Sequence, residues 1–215
     1  MKLKLSLINK HVLKVKEDLD FRADQGSQLI QKAEVNLIFG KIVPILSVHQ
    51  GIVVLLKELV ENMQGSAEVP QIVENTETGA ELAQIFIDAY EELSQAYPPF
   101  LIYHEAIRGL IAAAQERNPD FRVYLMEKER SEEFGRKTFD DLFIRPVQRI
   151  PQLLNLLERL EKHTSAMNKQ KVKEAIGLLD KMQKRACEAA TQNDNFIQEL
   201  SSYNEVEGLP VNLIV

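Results

Sequence analysis

The chain has 215 residues, 45% of them hydrophobic and 27% charged, with a net charge of -6. That supplies apolar matter for one large domain or two small ones, and the acidic balance argues against nucleic acid or an anionic membrane surface as the partner. A single cysteine, Cys187, excludes an internal disulfide and a multi-cysteine metal site, and it fits a reducing compartment.

The start, Met1-Lys-Leu-Lys-Leu, runs into Asn9, Lys10 and His11 and has neither the apolar core nor the cleavage site of a secretory signal. No apolar run approaches the roughly 18 residues of a membrane span. Cytoplasmic placement, with a nuclear pool by trafficking, is the expectation. Leu7, Ile8, Val12, Val15 and Leu19 lie at helical spacing and predict a first helix over about 3–19. Polar residues and Gly26 then predict a loop over 20–27. A second helix over about 28–46 presents Val35, Ile38, Phe39, Ile42 and Ile45, with Pro44 placed to bend or end it. A third, over about 47–63, presents Val48, Ile52, Leu55, Leu56, Leu59 and Met63.

Residues 64–78 hold Gly65, Ser66 and Pro70 and read as a loop. Thr78 and Glu81 have capping-box spacing and open a helix with Leu82, Ile85, Phe86, Ala89 and Leu93. Tyr97-Pro-Pro-Phe100 breaks that pattern, and a new helix follows over about 99–117. Asn118 and Pro119 form a cap and first position for a short helix through Phe121, Tyr124 and Leu125. Thr138 caps the next helix, with Asp140 and Asp141 favoured by the helix dipole in its first turn. Ile150, Leu153, Leu154, Leu157 and Leu160 carry its apolar stripe. The last long helix, over about 168–200, carries Val172, Ala175, Ile176, Leu179, Met182 and Ala186 and stops at Gly208 and Pro210. The expected fold is all-α, an elongated bundle of about eight to ten helices packed by ridges and grooves.

Covalent chemistry finds no support. His11, His49, His104 and His163 are scattered outside any His-Glu-x-x-His frame, and no glycine-rich phosphate loop or Gly-x-Ser-x-Gly elbow exists. Adjacent carboxylates such as Asp140 and Asp141 point about 100° apart on a helix and suit capping better than catalysis. Cys187, flanked by Lys184, Arg185 and Glu188, reads as a small half-buried helix residue. No catalytic, cofactor or metal residue is assigned, so binding is the remaining class.

The residues from Lys137 to Thr164, with Ile144-Arg-Pro-Val-Gln-Arg-Ile150 at their centre and a leucine-rich helix after it, resemble the third conserved region of Dbl-homology (RhoGEF) domains. Ile38-Phe-Gly-Lys-Ile-Val-Pro-Ile-Leu46 with His49 resembles the family's second helix region. Tyr97-Pro-Pro-Phe100 and Val206-Glu-Gly-Leu-Pro-Val-Asn-Leu213 are most similar, within the family, to the Pebble-type cytokinesis exchange factors. The resemblance implies a Dbl-homology domain over 1–202 and, over 203–215, a segment resembling the linker toward a pleckstrin-homology domain. It implies a Rho-family small GTPase as partner and a function in promoting GDP release by stabilising the nucleotide-free state. The family's GTPase-facing positions fall on Arg145, Gln148, Gln152, Leu156 and Cys187. Arg145 and Gln148 read equally as contacts within the domain, whereas Leu156 falls off the apolar stripe and suits an exposed role. Three departures stand out. The early Thr-Glu-x-x-Tyr-Val element is absent, with Glu17 near the helix end instead. Gln152 stands where a lysine is common, and Cys187 where an asparagine is usual. These departures motivate the alternative of a truncated or degenerate domain acting as a non-exchanging interaction scaffold.

Overall fold

The computed structural model describes residues 2–65, 76–135 and 137–207. Among them the helical spacing of apolar residues becomes eight α-helices and one short 3-10 turn, with no strand. In chain order these are α1 (Lys2–Asp24), α2 (Lys32–Phe39), α3 (Ile42–Gly65), α4 (Thr76–Asp88), α5 (Tyr90–Arg117), α6 (Pro119–Arg130), the 3-10 turn (Glu132–Phe134), α7 (Phe139–His163) and α8 (Lys169–Glu207). The expected helix stops at Gly208 and Pro210, and most of the 64–78 loop, lie outside the described residues.

The boundaries differ from expectation where one local signal is outweighed by another. Helix α1 continues through Asp24, because Leu19 is buried and Lys16–Asp20 and Arg22–Asp18 pairs support its last turns. The expected 28–46 helix is cut at Gly40 and Lys41, and Pro44 lies in the first turn of α3 rather than at a helix end. Continuation would drive the Pro44 ring into the Gly40 carbonyl, whereas a first-turn proline gives up an amide with no helical partner anyway. The Thr78–Glu81 capping box does not open α4, which already starts at Thr76. A box forms instead between Gln31 and Glu34 at α2.

Tyr97-Pro-Pro-Phe100 does not break α5, which runs through Pro98 and Pro99. The missing amide bonds are outweighed by tertiary packing: Tyr97 and Phe100 are fully buried, and Leu93 and Ala96 join them. Pro146 and Pro151 likewise lie inside α7, which begins about two turns before Pro146, at its cap. There Thr138 and Asp141 form a reciprocal capping box, and the Glu129 carboxylate accepts from the Phe139 amide at 2.8 Å. Hydrogen bonding to Thr138 holds the Asp141 carboxyl below its usual range.

Asn118 caps α6 as expected, its Oδ1 accepting from the amides of Asp120 and Phe121. Its Nδ2 also donates to the Leu29 carbonyl, which ties α6 to the loop before α2. Asn118→Ala is therefore expected to cost about 1–2 kcal/mol, at the upper end for a lost cap. Urea unfolding of the variant measures it; a midpoint equal to wild type would refute the double role.

Helix α8 packs against α4, α5 and α7, and α5 sits centrally against α2, α3, α6 and α7. Val172, Ala175, Leu179, Met182 and Ala186 recur at three- and four-residue spacing on the buried face of α8. At 1.5 Å per residue its 39 residues span about 58 Å. A compact chain of this length is only about 45 Å across, so the bundle is elongated. One segment, Ile42–Asn62 in α3, is long and apolar enough by length and composition to cross a membrane, contrary to the sequence expectation. Its first half supplies Ile42, Ile45, Leu46, His49 and Ile52 to the bundle core.

Candidate functional site

Helix α7 carries the motif and divides cleanly into two faces. Phe139, Leu142, Phe143, Pro146, Ile150, Leu153 and Leu157 are buried. Its N-terminal half is locked by aromatic contacts: Phe143 meets Phe39 of α2 at 5.9 Å and Phe100 of α5 at 6.4 Å, and Phe139 meets Phe134 at 5.3 Å. Gln148, Gln152 and Leu156 are exposed, and the 3- and 4-residue spacing puts them with Arg145 on one stripe. Leu156 is 43% exposed, a large apolar side chain standing among polar neighbours.

The adjacent stripe belongs to α8. Lys173 and Glu161 approach to 4.0 Å, which sets α7 and α8 antiparallel and side by side. In that register the level of Arg145 to Gln152 on α7 corresponds to Met182 to Ala189 on α8. Cys187 is exposed there, not half-buried as its sequence context suggested. Lys184 pairs with Asp180 at 2.7 Å one turn away. The structure thus brings Arg145, Gln148, Gln152 and Leu156 onto one face of α7 and places Cys187 on the neighbouring helix. Glu17 is exposed on α1.

Behind the motif lies a polar cluster that sequence reasoning did not assemble. His49 of α3 and Tyr97 of α5 are 2% and 0% exposed, and the Tyr97 hydroxyl lies 2.5 Å from His49 Nε2. Their rings meet edge to face at 5.7 Å. Burial first, and then the charge of Arg149, hold the His49 pKa down from 6.5 to about 4. Burial drives the Tyr97 hydroxyl well above its ordinary range, with Arg149 pulling the other way. Arg149 itself is disfavoured as a cation by burial, and Tyr97 opposes that loss. The Nε atoms of Arg145 and Arg149 are buried without a hydrogen-bond partner among the described residues. Arg149 is half-buried with its Nε inside, while Gln148 beside it is exposed. The 48-residue separation of His49 and Tyr97 left no local signal that would have paired them.

A second polar cluster ties α1 to α6. The Tyr124 hydroxyl donates to Asp18 at 2.7 Å, Lys128 pairs with the same carboxylate at 3.1 Å, and Arg22 and Lys128 lie over the Tyr124 ring. Partial burial works against the Asp18 anion, but Tyr124, Lys128 and Arg22 together hold its carboxyl below 3.8. These contacts fix the start of the bundle. No group of three or more metal-ligating side chains occurs among the described residues.

A family model described as the RhoGEF domain matches residues 3–206. Protein ECT2 of Mus musculus and Protein ECT2 of Homo sapiens are each 29% identical over 198 residues, which is 91% of this chain and 20% of theirs. The chain thus spans about a fifth of the length of these curated relatives. Among solved structures, PDZ-RhoGEF DH/PH domains in complex with GTP-gamma-S activated RhoA are similar with a TM-score of 0.75 at 22% identity, over 94% of this chain and 53% of that one. Human RhoA in complex with a DH/PH fragment of PDZRHOGEF gives 0.69 at 25% identity, over 94% and 57%. Autoinhibited Vav1 gives 0.70 at 23% identity, over 91% and 32%.

Proposed function

This chain belongs to the RhoGEF (Dbl-homology) family, and on that premise we propose that it accelerates GDP release from a Rho-family small GTPase. The single observation that carries the reading is the family match, which runs over nearly the whole helical bundle. The relatives' partners support it, since two of the similar structures are named as complexes of DH/PH domains with RhoA.

Exchange makes and breaks no covalent bond. A domain that grips the nucleotide-free GTPase more tightly than the GDP-bound one lowers the barrier to release, and a domain that grips both equally changes nothing. The gripping surface is the exposed α7 stripe. Gln148 and Gln152 offer amides, Arg145 adds a charge, and Leu156 supplies an apolar anchor of the kind that dominates such interfaces. Cys187 on α8 borders them with a small, weakly polar contact. Residues 203–215 continue toward a pleckstrin-homology domain in a longer protein, as the DH/PH architecture of the relatives suggests. The site of action is the cytoplasm, where membrane-tethered GTPases present their switch loops.

The selectivity for the empty state is directly measurable. Immobilised chain is expected to retain a Rho-family GTPase stripped of nucleotide about tenfold or more better than the same GTPase with GDP and magnesium. Equal retention of both forms would remove the thermodynamic basis for exchange.

A further inference from the structure

We propose that the turn joining α7 to α8 docks on an anionic lipid surface, with Met167 at its apex entering the bilayer and Lys162, His163, Lys169 and Lys171 meeting the phosphates around it. The docking stands apart from the exchange reading above; only its consequence for rate rests on that reading.

Charge is unevenly spread along this acidic chain. The twelve residues from Lys162 to Lys173 hold four lysines, one histidine and no carboxylate, so the net charge of -6 is carried elsewhere. At an anionic leaflet a local cationic segment outweighs the acidity of the whole, because attraction falls off within a Debye length. Lys162, His163 and Lys171 are exposed, and Lys169 is half-buried. Lys173 is drawn toward Glu161 at 4.0 Å and takes the least part. The nearest other carboxylates border the turn without interrupting it: Glu174 follows on α8, and Glu81 is exposed on α4.

Met167 is 88% exposed, more than any other large apolar side chain among the described residues. The turn holds it there. Thr164 Oγ1 donates to the Leu160 carbonyl at 2.8 Å, and the amides of Asn168 and Lys169 donate to the Ser165 carbonyl at 3.1 and 3.0 Å. Thr164 is buried against Gly79 of α4, where an added Cβ would lie 2.5 Å from Thr164 Oγ1. A turn fixed at both ends, with an apolar apex ringed by cations, fits a surface whose hydrocarbon lies just beneath its phosphates. Lysine stems are apolar and let the ammonium groups stay at headgroup level while the apex goes deeper. A nucleic acid offers phosphates but no apolar layer to receive methionine, and the turn has no Phe, Tyr or Trp to stack on a base. Leu156 lies seven residues before the end of α7, about 10 Å along its axis. A docked turn therefore keeps the GTPase-facing stripe close to the membrane.

The chain contains no tryptophan, so Met167→Trp places a single indole at the apex. Vesicles of phosphatidylcholine with about one-third phosphatidylserine are expected to shift its emission to the blue, and to sediment the wild-type chain about tenfold or more better than pure phosphatidylcholine vesicles. Lys162→Glu with Lys171→Glu should weaken that sedimentation about 25-fold or more, since each lysine near the leaflet is worth about fivefold. Met167→Ser should weaken it about tenfold. Arg122→Glu with Lys181→Glu makes the same change in net charge at exposed positions of α6 and mid-α8, and should leave sedimentation within about twofold. All of these positions lie outside the core, so melting temperatures should stay near wild type. Unshifted emission, or equal losses from the two charge-reversed pairs, would overturn the docking. Retention by heparin or a DNA duplex but not by anionic vesicles would overturn it too, in favour of a soluble polyanion. Exchange is read separately. On a GTPase free in solution, Lys162→Glu with Lys171→Glu should release GDP at the wild-type rate, and on a GTPase tethered to the anionic vesicles it should be slower about tenfold. A wild-type chain that releases no GDP in either setting would overturn the exchange reading and leave the docking to be judged by the vesicles alone.

Discussion

Leu156→Glu is expected to abolish GTPase binding and exchange while leaving the bundle folded. Leu156 stands on the outer stripe of α7, 43% exposed, one turn beyond Gln152. An exposed leucine of that size costs nothing to replace in the free domain, because leucine and glutamate have nearly equal helix propensity. Arg159, three residues on, is exposed and can pair with the new carboxylate. Stability should therefore stay within about 0.5 kcal/mol of wild type, as for ordinary surface changes. At an interface the outcome is different. An apolar anchor becomes an anion that must be dehydrated without a partner, at a cost of several kcal/mol, or orders of magnitude in affinity. Circular dichroism and melting establish the fold, and GDP release reads the function. A folded variant that still exchanges would remove Leu156 from the contact face.

Acidification supplies the second large effect. His49 is buried and neutral, with a pKa lowered from 6.5 to about 4. Between those values the unfolded chain binds a proton that the native chain refuses, so stability falls as pH falls through that window. The full span corresponds to about 3 kcal/mol, and about 2 kcal/mol of it is gone by pH 5. Asp18 and Asp141 do not blur the result. Their pKa values lie below 3.8, so the stability they contribute is present above 3.8 and is lost only as pH falls further. Urea unfolding at pH 7 and pH 5 tests the sign and size. His49→Gln, which cannot titrate, should flatten the difference between the two pH values. An equal loss in wild type and His49→Gln would show that the proton goes elsewhere.

The sequence carried the helices well and their junctions less well. Asn118 and Thr138 were legible as caps because a cap is a local exchange between a side chain and amides two or three residues away. The buried stripe of α7 was legible for the same reason, and Leu156 stood out by failing to join it. Two prolines misled in the other direction. Pro98 and Pro99 lie inside α5, where packing of Tyr97 and Phe100 outweighs the lost amide bonds. The break at Ala89, between α4 and α5, has no glycine or proline to announce it. The candidate face was half visible. Its residues on α7 follow from one helix's periodicity, but the exposure of Cys187 depends on how α8 lies against α4, α5 and α7. The His49–Tyr97–Arg149 cluster was invisible, since each member comes from a different helix and nothing local links them.

Release of a fluorescent GDP analogue from a panel of Rho-family GTPases, with and without the wild-type chain, tests the exchange function most directly. At micromolar chain, at least one member should release nucleotide about tenfold or more faster than alone, each tenfold being about 1.4 kcal/mol off the barrier. Intrinsic release rates unchanged across the whole panel, with a chain shown to be folded, would contradict it.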